Sequence, residues 1–359
     1  MGDEGLTYRD SGVVSVGEEK TFQTLIHWVN KSMEGHPEVK AEVGLYATVI
    51  DVGFGLGIAM STDGVGTKLL IAEMMGKYDT VGIDCVAMNV NDIICVGAKP
   101  IAMLDYIAVE DATGPVLGEI GKGLYEGARL ADISIPAGEV AQLGEMIKGL
   151  KPKAGYDLVG TAFGTVPLNR LVVGENIVAG DPVIGVTSSG LHSNGYTLAR
   201  RALLGKFKVD TRIAELGMTV GEAMLTPTRI YVRPVVELLE SVQGVKGLAH
   251  ITGDGFRNLQ RVRSVVGFML DKMPEMPPIF KVLQREGKVS NAEMANTFNL
   301  GIGLCVVTTP EAVAATLAVF HAQGMDAQVI GRAVSDPDRS IFLPGLKVVG
   351  KKDKFFPEG

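Results

Sequence analysis

Cysteine is scarce in this chain, and what there is forms no pattern. Cys85, Cys95 and Cys305 are three in 359 residues, and none belongs to a CxxC pair. That spacing argues against a structural zinc site or a disulfide framework and fits a reducing compartment. An excess of basic residues is missing too. Lys and Arg total 34 against 41 Asp and Glu, a net charge of -7, so the phosphate neutralisation behind nucleic-acid binding is not available and no nucleic-acid partner is expected. Nor is there a long uninterrupted apolar run. Val43 to Met60 comes nearest, but Asp51 breaks it, and Gly44, Gly53, Gly55 and Gly57 suit strands and turns. The opening Met1-Gly-Asp-Glu-Gly-Leu has neither the positive start nor the apolar stretch of a signal peptide. The expectation is a soluble cytoplasmic protein with no membrane partner.

What is present is enough for a large core: 46% hydrophobic against 21% charged residues. At roughly 150 residues per domain the length suggests two domains, or one large one. Strand-like and helix-like stretches alternate, which predicts a mixed α+β fold. Helices are expected over Glu18–Met33, Tyr78–Val96 and Gly114–Ala131, and strands over Ile58–Thr62, Ile101–Val109, Leu158–Val166 and Pro182–Val186. The boundary falls near residues 167 to 172, giving an amino-terminal unit 1–168 and a carboxy-terminal α/β unit 169–359.

Five segments carry chemistry. In Ser61-Thr62-Asp63-Gly64-Val65-Gly66-Thr67-Lys68 a strand delivers a carboxylate, two glycines admit an anion to the backbone, and a lysine adds a point charge. A carboxylate so near phosphate oxygens makes sense with magnesium between them. In Asp84-Cys-Val-Ala-Met-Asn-Val-Asn91-Asp92 the residues Asp84 and Asn91 lie two turns apart on nearly one line, with Asp92 further round, on the side predicted to face away from the core. Ser188 to Tyr196 contains His192, and Ser193 or Asn194 is a natural helix cap with an anion site behind it. His192 either contacts substrate or satisfies a loop carbonyl. In His250-Ile-Thr252-Gly253-Asp254-Gly255 a strand ends in a glycine turn, where His250 is packed or catalytic and Asp254 a turn residue. Ala137-Gly138-Glu139-Val140 places one carboxylate after a strand over Ile133–Ile135.

Taken in order, these segments resemble the phosphoribosylformylglycinamidine cyclo-ligase (aminoimidazole ribonucleotide synthetase) family. Further matches are Thr7 to Val13, Tyr78 to Asp84, Leu104-Asp105-Tyr106, Tyr156-Asp157-Leu158, Thr226 to Tyr231 and Asn296 to Asn299. The resemblance implies a two-domain ATP-binding fold and a homodimer whose amino-terminal strands join in a shared barrel. It also implies ATP and Mg2+ converting formylglycinamidine ribonucleotide to aminoimidazole ribonucleotide, ADP and phosphate in purine biosynthesis. By matching position, Asp63 and Asp92 would serve magnesium, with Lys68 on the phosphates. Gly64, Gly66, Thr67, Asp84 and Asn91 would complete the nucleotide cradle. Asp105, Ser193, Asn194 and Gly195 fall on the substrate side. Lys68, Glu139, His192 and His250 are the catalytic candidates, and no general base is singled out among them.

The chain departs from the common bacterial pattern in three places, and there it looks like the archaeal branch. The glycine cluster is reduced to Gly44-Leu45-Tyr46-Ala47, Val140 replaces a threonine, and Asp254 interrupts a triple glycine. Selenophosphate synthetase would want a reactive cysteine near its amino terminus, whereas the first here is Cys85. A hydrogenase-maturation carbamoyl dehydratase ends in cysteine, and this chain ends Pro357-Glu358-Gly359. Thiamine-monophosphate kinase lacks Gly190-Leu-His-Ser-Asn-Gly-Tyr196 in this form. A non-catalytic nucleotide-binding regulator of the same fold is the alternative from another class.

Overall fold

The computed structural model describes residues 5–7, 20–40 and 45–358. The Tyr8–Val13 stretch, Glu18 and Gly44 lie outside them. The first described helix, α1 (Lys20–Lys31), leaves Leu25, Trp28 and Val29 exposed. Strands β1 (Thr48–Asp51) and β2 (Leu56–Gly64) form a hairpin. A 3-10 turn, Gly66–Lys68, runs into α2 (Leu69–Met75), followed by α3 (Val81–Cys95). Next come β3 (Lys99–Val109), α4 (Val116–Ala131), β4 (Ser134–Gln142) and β5 (Tyr156–Pro167).

The five strands make one sheet in the order β1-β2-β5-β3-β4, antiparallel except where α4 returns the chain to pair β4 parallel to β3. Burial alternates along β5, so one face is packed and the other partly open. Beyond it, β6 (Pro182–Thr187) belongs to an eight-stranded sheet. Its order is Lys354–Pro357, Val348–Lys351, Ile341–Leu343, Gly267–Met269, Ala327–Val334, β6, Ile302–Thr308 and Val245–His250. The helix α5 (Tyr196–Leu204) follows the Ser188–Gly195 loop. No described helix is long and apolar enough to cross a membrane.

The helix α3 positions everything else. It packs on β2, β3 and β5, on α4, and on the Val245–His250 strand of the other sheet. Valine, isoleucine and cysteine occupy positions all round it, which is the composition of a helix with no solvent face. Its three-sided burial needs close approach. A Cβ on Gly82 would sit 2.2 Å from the Leu124 nitrogen, and one on Gly123 would sit 2.3 Å from the Asp79 carbonyl. The two glycines therefore let α3 and α4 touch backbone to backbone. All three cysteines are buried and free: Cys85 and Cys95 on α3, Cys305 on the strand Ile302–Thr308. Gly82→Ala should push the two helices apart and cost about 1–3 kcal/mol by overpacking. Denaturant unfolding would register the loss, and full stability would refute this account of the crossing.

Candidate functional site

The site forms where the ends of β2 and α3 meet two loops of the second sheet. Asp63, next to last in β2, is pushed up from its ordinary 3.8 to about 6, first by burial and then by the charge of Asp92. The two carboxylates predicted for a metal therefore converge closely enough to repel. Asn89 steadies the strand end by donating Nδ2 to the Asp63 carbonyl at 3.1 Å.

Asp92 is oriented by a relay. Asn91 donates Nδ2 to the Arg229 carbonyl at 2.9 Å and accepts the Tyr231 amide at 3.0 Å, which fixes its amide direction. The same Nδ2 faces His250 Nε2 at 3.4 Å. Nε2 must then be the acceptor, leaving Nδ1–H to donate to Asp92 Oδ1 at 2.9 Å. Met88 lies one turn before Asp92 on the same helix face, and Asn194 Nδ2 rests against its sulfur at 3.9 Å. The other end of the Asn194 amide borders Gly253. Asp63 at the end of β2, Asp92 on α3 and both glycine loops of the second sheet thus come together at one place, the candidate recess. At its rim, Asp254 pairs with Arg257 and Arg261, and Arg261 lies over the Tyr46 ring. Asn89, Tyr46, Thr228 and Arg261 escaped the sequence reading. The Asp254, Arg257, Arg261 spacing of three and then four residues was a legible helical stripe.

Several expected positions are corrected. Lys68 does not reach the recess: its side chain is 0% exposed, and its ammonium donates to Asp84 Oδ1 (2.9 Å), the His192 carbonyl (3.0 Å) and the Thr226 carbonyl (2.7 Å). All three N–H groups are used. Asp84 also accepts the amide and hydroxyl of Thr228, both at 2.7 Å, so it is buried between the halves and does not face away from the core. Asn91 is buried in the same way. His192 has a left-handed backbone (φ 62°), and its Nε2 accepts the Ser189 amide at 3.2 Å. Burial holds its imidazole neutral, and it shapes the loop from within the core. His250 is likewise fully buried and reaches the recess only through Asp92.

Neither Ser193 nor Asn194 caps α5. Gly195 is the cap residue at φ 72°, and Ser193 Oγ is 2.9 Å from Thr228 Oγ1. Gly66 takes φ 71° to turn the chain, Gly64 donates its amide to Asp63 Oδ1 at 2.8 Å, and Thr67 Oγ1 meets Thr197 Oγ1 at 3.3 Å. Asp105 shares a cross-strand row with Asp63, in the order Asp63, Gly160, Asp105, Gly138. Two strand spacings, roughly 10 Å, separate the two carboxylates. Glu139 is not in a loop: β4 continues through it, its row partner is Tyr106, and alternation turns it to the opposite face. The single chain does not bring it to Asp63.

Lys68→Met should leave Asp84 as an unpaired buried charge and lower stability by about 3–5 kcal/mol. A residue that merely contacted phosphate would give weaker nucleotide binding with normal unfolding, and that pattern would overturn the structural role.

Residues 44–166 match the AIR synthase related protein N-terminal domain, and residues 178–343 match the corresponding C-terminal domain. Among curated relatives, the phosphoribosylformylglycinamidine cyclo-ligase of Methanocaldococcus jannaschii is 44% identical over 351 residues, covering 96% of each chain. That of Methanothermobacter thermautotrophicus is 46% identical, covering 88% of this chain and 91% of its own. Among solved structures, thiamine-monophosphate kinase of Aquifex aeolicus superposes with a TM-score of 0.61 at 15% identity, covering 91% of this chain and 98% of its own, a likeness of fold alone. With such identity across nearly its whole length, the chain belongs to the phosphoribosylformylglycinamidine cyclo-ligase family.

Proposed function

We propose that this protein is an ATP-dependent cyclo-ligase that closes formylglycinamidine ribonucleotide to aminoimidazole ribonucleotide, releasing ADP and phosphate. The observation that carries this reading is the convergence of Asp63 and His250-braced Asp92 beneath the Asn194 loop, in a chain 44% identical to named cyclo-ligases. An amide-type oxygen is a poor leaving group. Transfer of the γ-phosphoryl onto it makes a good one. A nearby nitrogen of the same substrate then attacks that carbon, a C–N bond forms, the C–O bond to phosphate breaks, and the nitrogen gives up a proton. Little covalent work falls to the protein, whose contribution is positioning and charge neutralisation.

Asp63 and Asp92 fit a magnesium ion, because two carboxylates crowded in one recess are destabilised until a cation lies between them. Among the described residues no group of three or more His, Cys, Asp or Glu side chains is arranged to hold a metal, and His250 is committed to orienting Asp92, so a magnesium ion here would keep several waters and take its other oxygens from substrate phosphates. When bound, such an ion would neutralise charge on the transferring phosphoryl group. Within the chain, His250 holds Asp92 in place and Asn194 lines the side facing it.

The dimer belongs to the same proposal. The face of the first sheet opposite α3 exposes Leu56, Leu104 and Tyr106, and alternation puts Ile58, Met60 and Phe163 on the same face. Among the described residues the outer strand β4 pairs only with β3. A second copy would cover both the apolar face and the open edge.

Substrate-dependent phosphate release from ATP tests the reading, and release indifferent to formylglycinamidine ribonucleotide would count against it. Asp63→Asn should abolish turnover and leave the fold intact. It should also stabilise the nucleotide-free protein. The raised carboxyl favours the fold below the ordinary 3.8, and that contribution is lost as pH rises through about 6. The variant should therefore gain on the order of 1–3 kcal/mol above pH 7 and nothing near pH 4, as thermal unfolding at the two pH values would show. Leu104→Arg should yield monomers in sedimentation, and an unchanged assembly would remove this face from the interface.

A further inference from the structure

Arg261 stands at the same recess without a part in the mechanism above. It closes the 3-10 helix Gly255–Arg261, and its Nη2 donates to Asp254 Oδ2 at 3.2 Å. Its guanidinium lies 5.0 Å over the Tyr46 ring. Asp254 is braced in turn by Arg257 Nη2 at 2.7 Å. Tyr46 is buried and donates its hydroxyl to the Asn258 carbonyl at 2.8 Å, on the same 3-10 helix. A cation is thus held between a ring and a carboxylate, a seat that a planar guanidinium fills better than an ammonium. Its side chain remains 32% exposed, and among the described residues Asp254 is its hydrogen-bond partner, so further N–H groups stay open to the recess. Asp63 and Asp92 both lie within reach of its charge. Tyr46 and Asp254, the residues that hold it, are two of the places where the chain departs from the common bacterial pattern.

The triphosphate needs positive charge from the protein as well as from a divalent ion. Lys68 is unable to supply it, since its ammonium is sealed inside the protein on three acceptors. We propose that Arg261 is the side chain that meets a phosphate group here, that of the nucleotide and not that of the ribonucleotide, with Tyr46 and Asp254 as its positioning residues. The proposal rests on the reading that nucleotide binds beside Asp63 and Asp92.

Calorimetric titration of the full chain with a non-hydrolysable ATP analogue plus magnesium, and separately with formylglycinamidine ribonucleotide, tests it. Arg261→Met should weaken the analogue about tenfold or more and leave the ribonucleotide's affinity unchanged. Arg261→Lys, which keeps charge and bulk, should recover only part of the loss. Asp254→Gly should also weaken the analogue, yet combined with Arg261→Met it should add nothing, because it acts through the guanidinium. Unchanged analogue binding in Arg261→Met overturns the proposal, as does a loss confined to the ribonucleotide. So does full recovery in Arg261→Lys, or an additive double variant. If wild-type protein binds the analogue but shows no ribonucleotide-dependent turnover, the cyclo-ligase reading fails while the Arg261 assignment stands.

Discussion

Everything at the recess is referenced to one contact that water does not reach, the Lys68–Asp84 pair. Removing two charges from water costs several kcal/mol each, and attraction offsets that only when the remaining donors and acceptors are also satisfied. Here the ammonium takes two backbone carbonyls from the second half of the chain, and Asp84 Oδ1 takes the amide and hydroxyl of Thr228, while Oδ2 is buried with no partner among the described residues. The pair therefore does little as an ion pair and much as a joint. It fixes the His192 and Thr226–Thr228 loops against the ends of α2 and α3. Ser193, hydrogen-bonded to Thr228, and Asn194, resting on Met88, inherit their positions from it.

The architecture was legible because its signals are local. Strand-like runs over Ile101–Val109 and Leu158–Val166 marked β3 and β5, helix-like runs marked α3 and α4, and Gly97 with Pro100 marked the end of α3. The pairing of Asp63 with Asp92 came from the family resemblance, by matching position, and local pattern alone offers no reason for a carboxylate ending β2 and another on α3 to lie near one another. The short helix α2 was missed, because seven residues leave too few turns for a periodic pattern to declare itself.

Residues whose roles depend on the other half of the chain were harder. Lys68 beside two glycines reads as a phosphate ligand, and only the distant carbonyls of His192 and Thr226 reveal that its charge is spent inside. Asp84 and Asn91 do lie on one line of α3, but the inference that they face outward assumed a solvent side. The helix has none, and its lack of lysine and glutamate was the warning. Glu139 was placed after a strand ending at Ile135, but β4 runs on to Gln142, and in a continuing strand neighbours Gly138 and Glu139 face opposite sides of the sheet. Tyr46 and Arg261 are separated by more than two hundred residues, and no local pattern predicts a ring under a guanidinium.

The three sealed cysteines have a practical consequence. Burial pushes each thiol well above its usual range, so none offers a thiolate while the protein is folded. Two of them bracket the helix on which both halves are mounted, and the third sits in the neighbouring sheet. Alkylating reagents should therefore ignore the native molecule and mark only those copies whose interior has come apart. Nature has in effect installed a stopwatch for large-scale opening, readable by mass without any engineered label, and anything that clamps the two halves together should slow its hand.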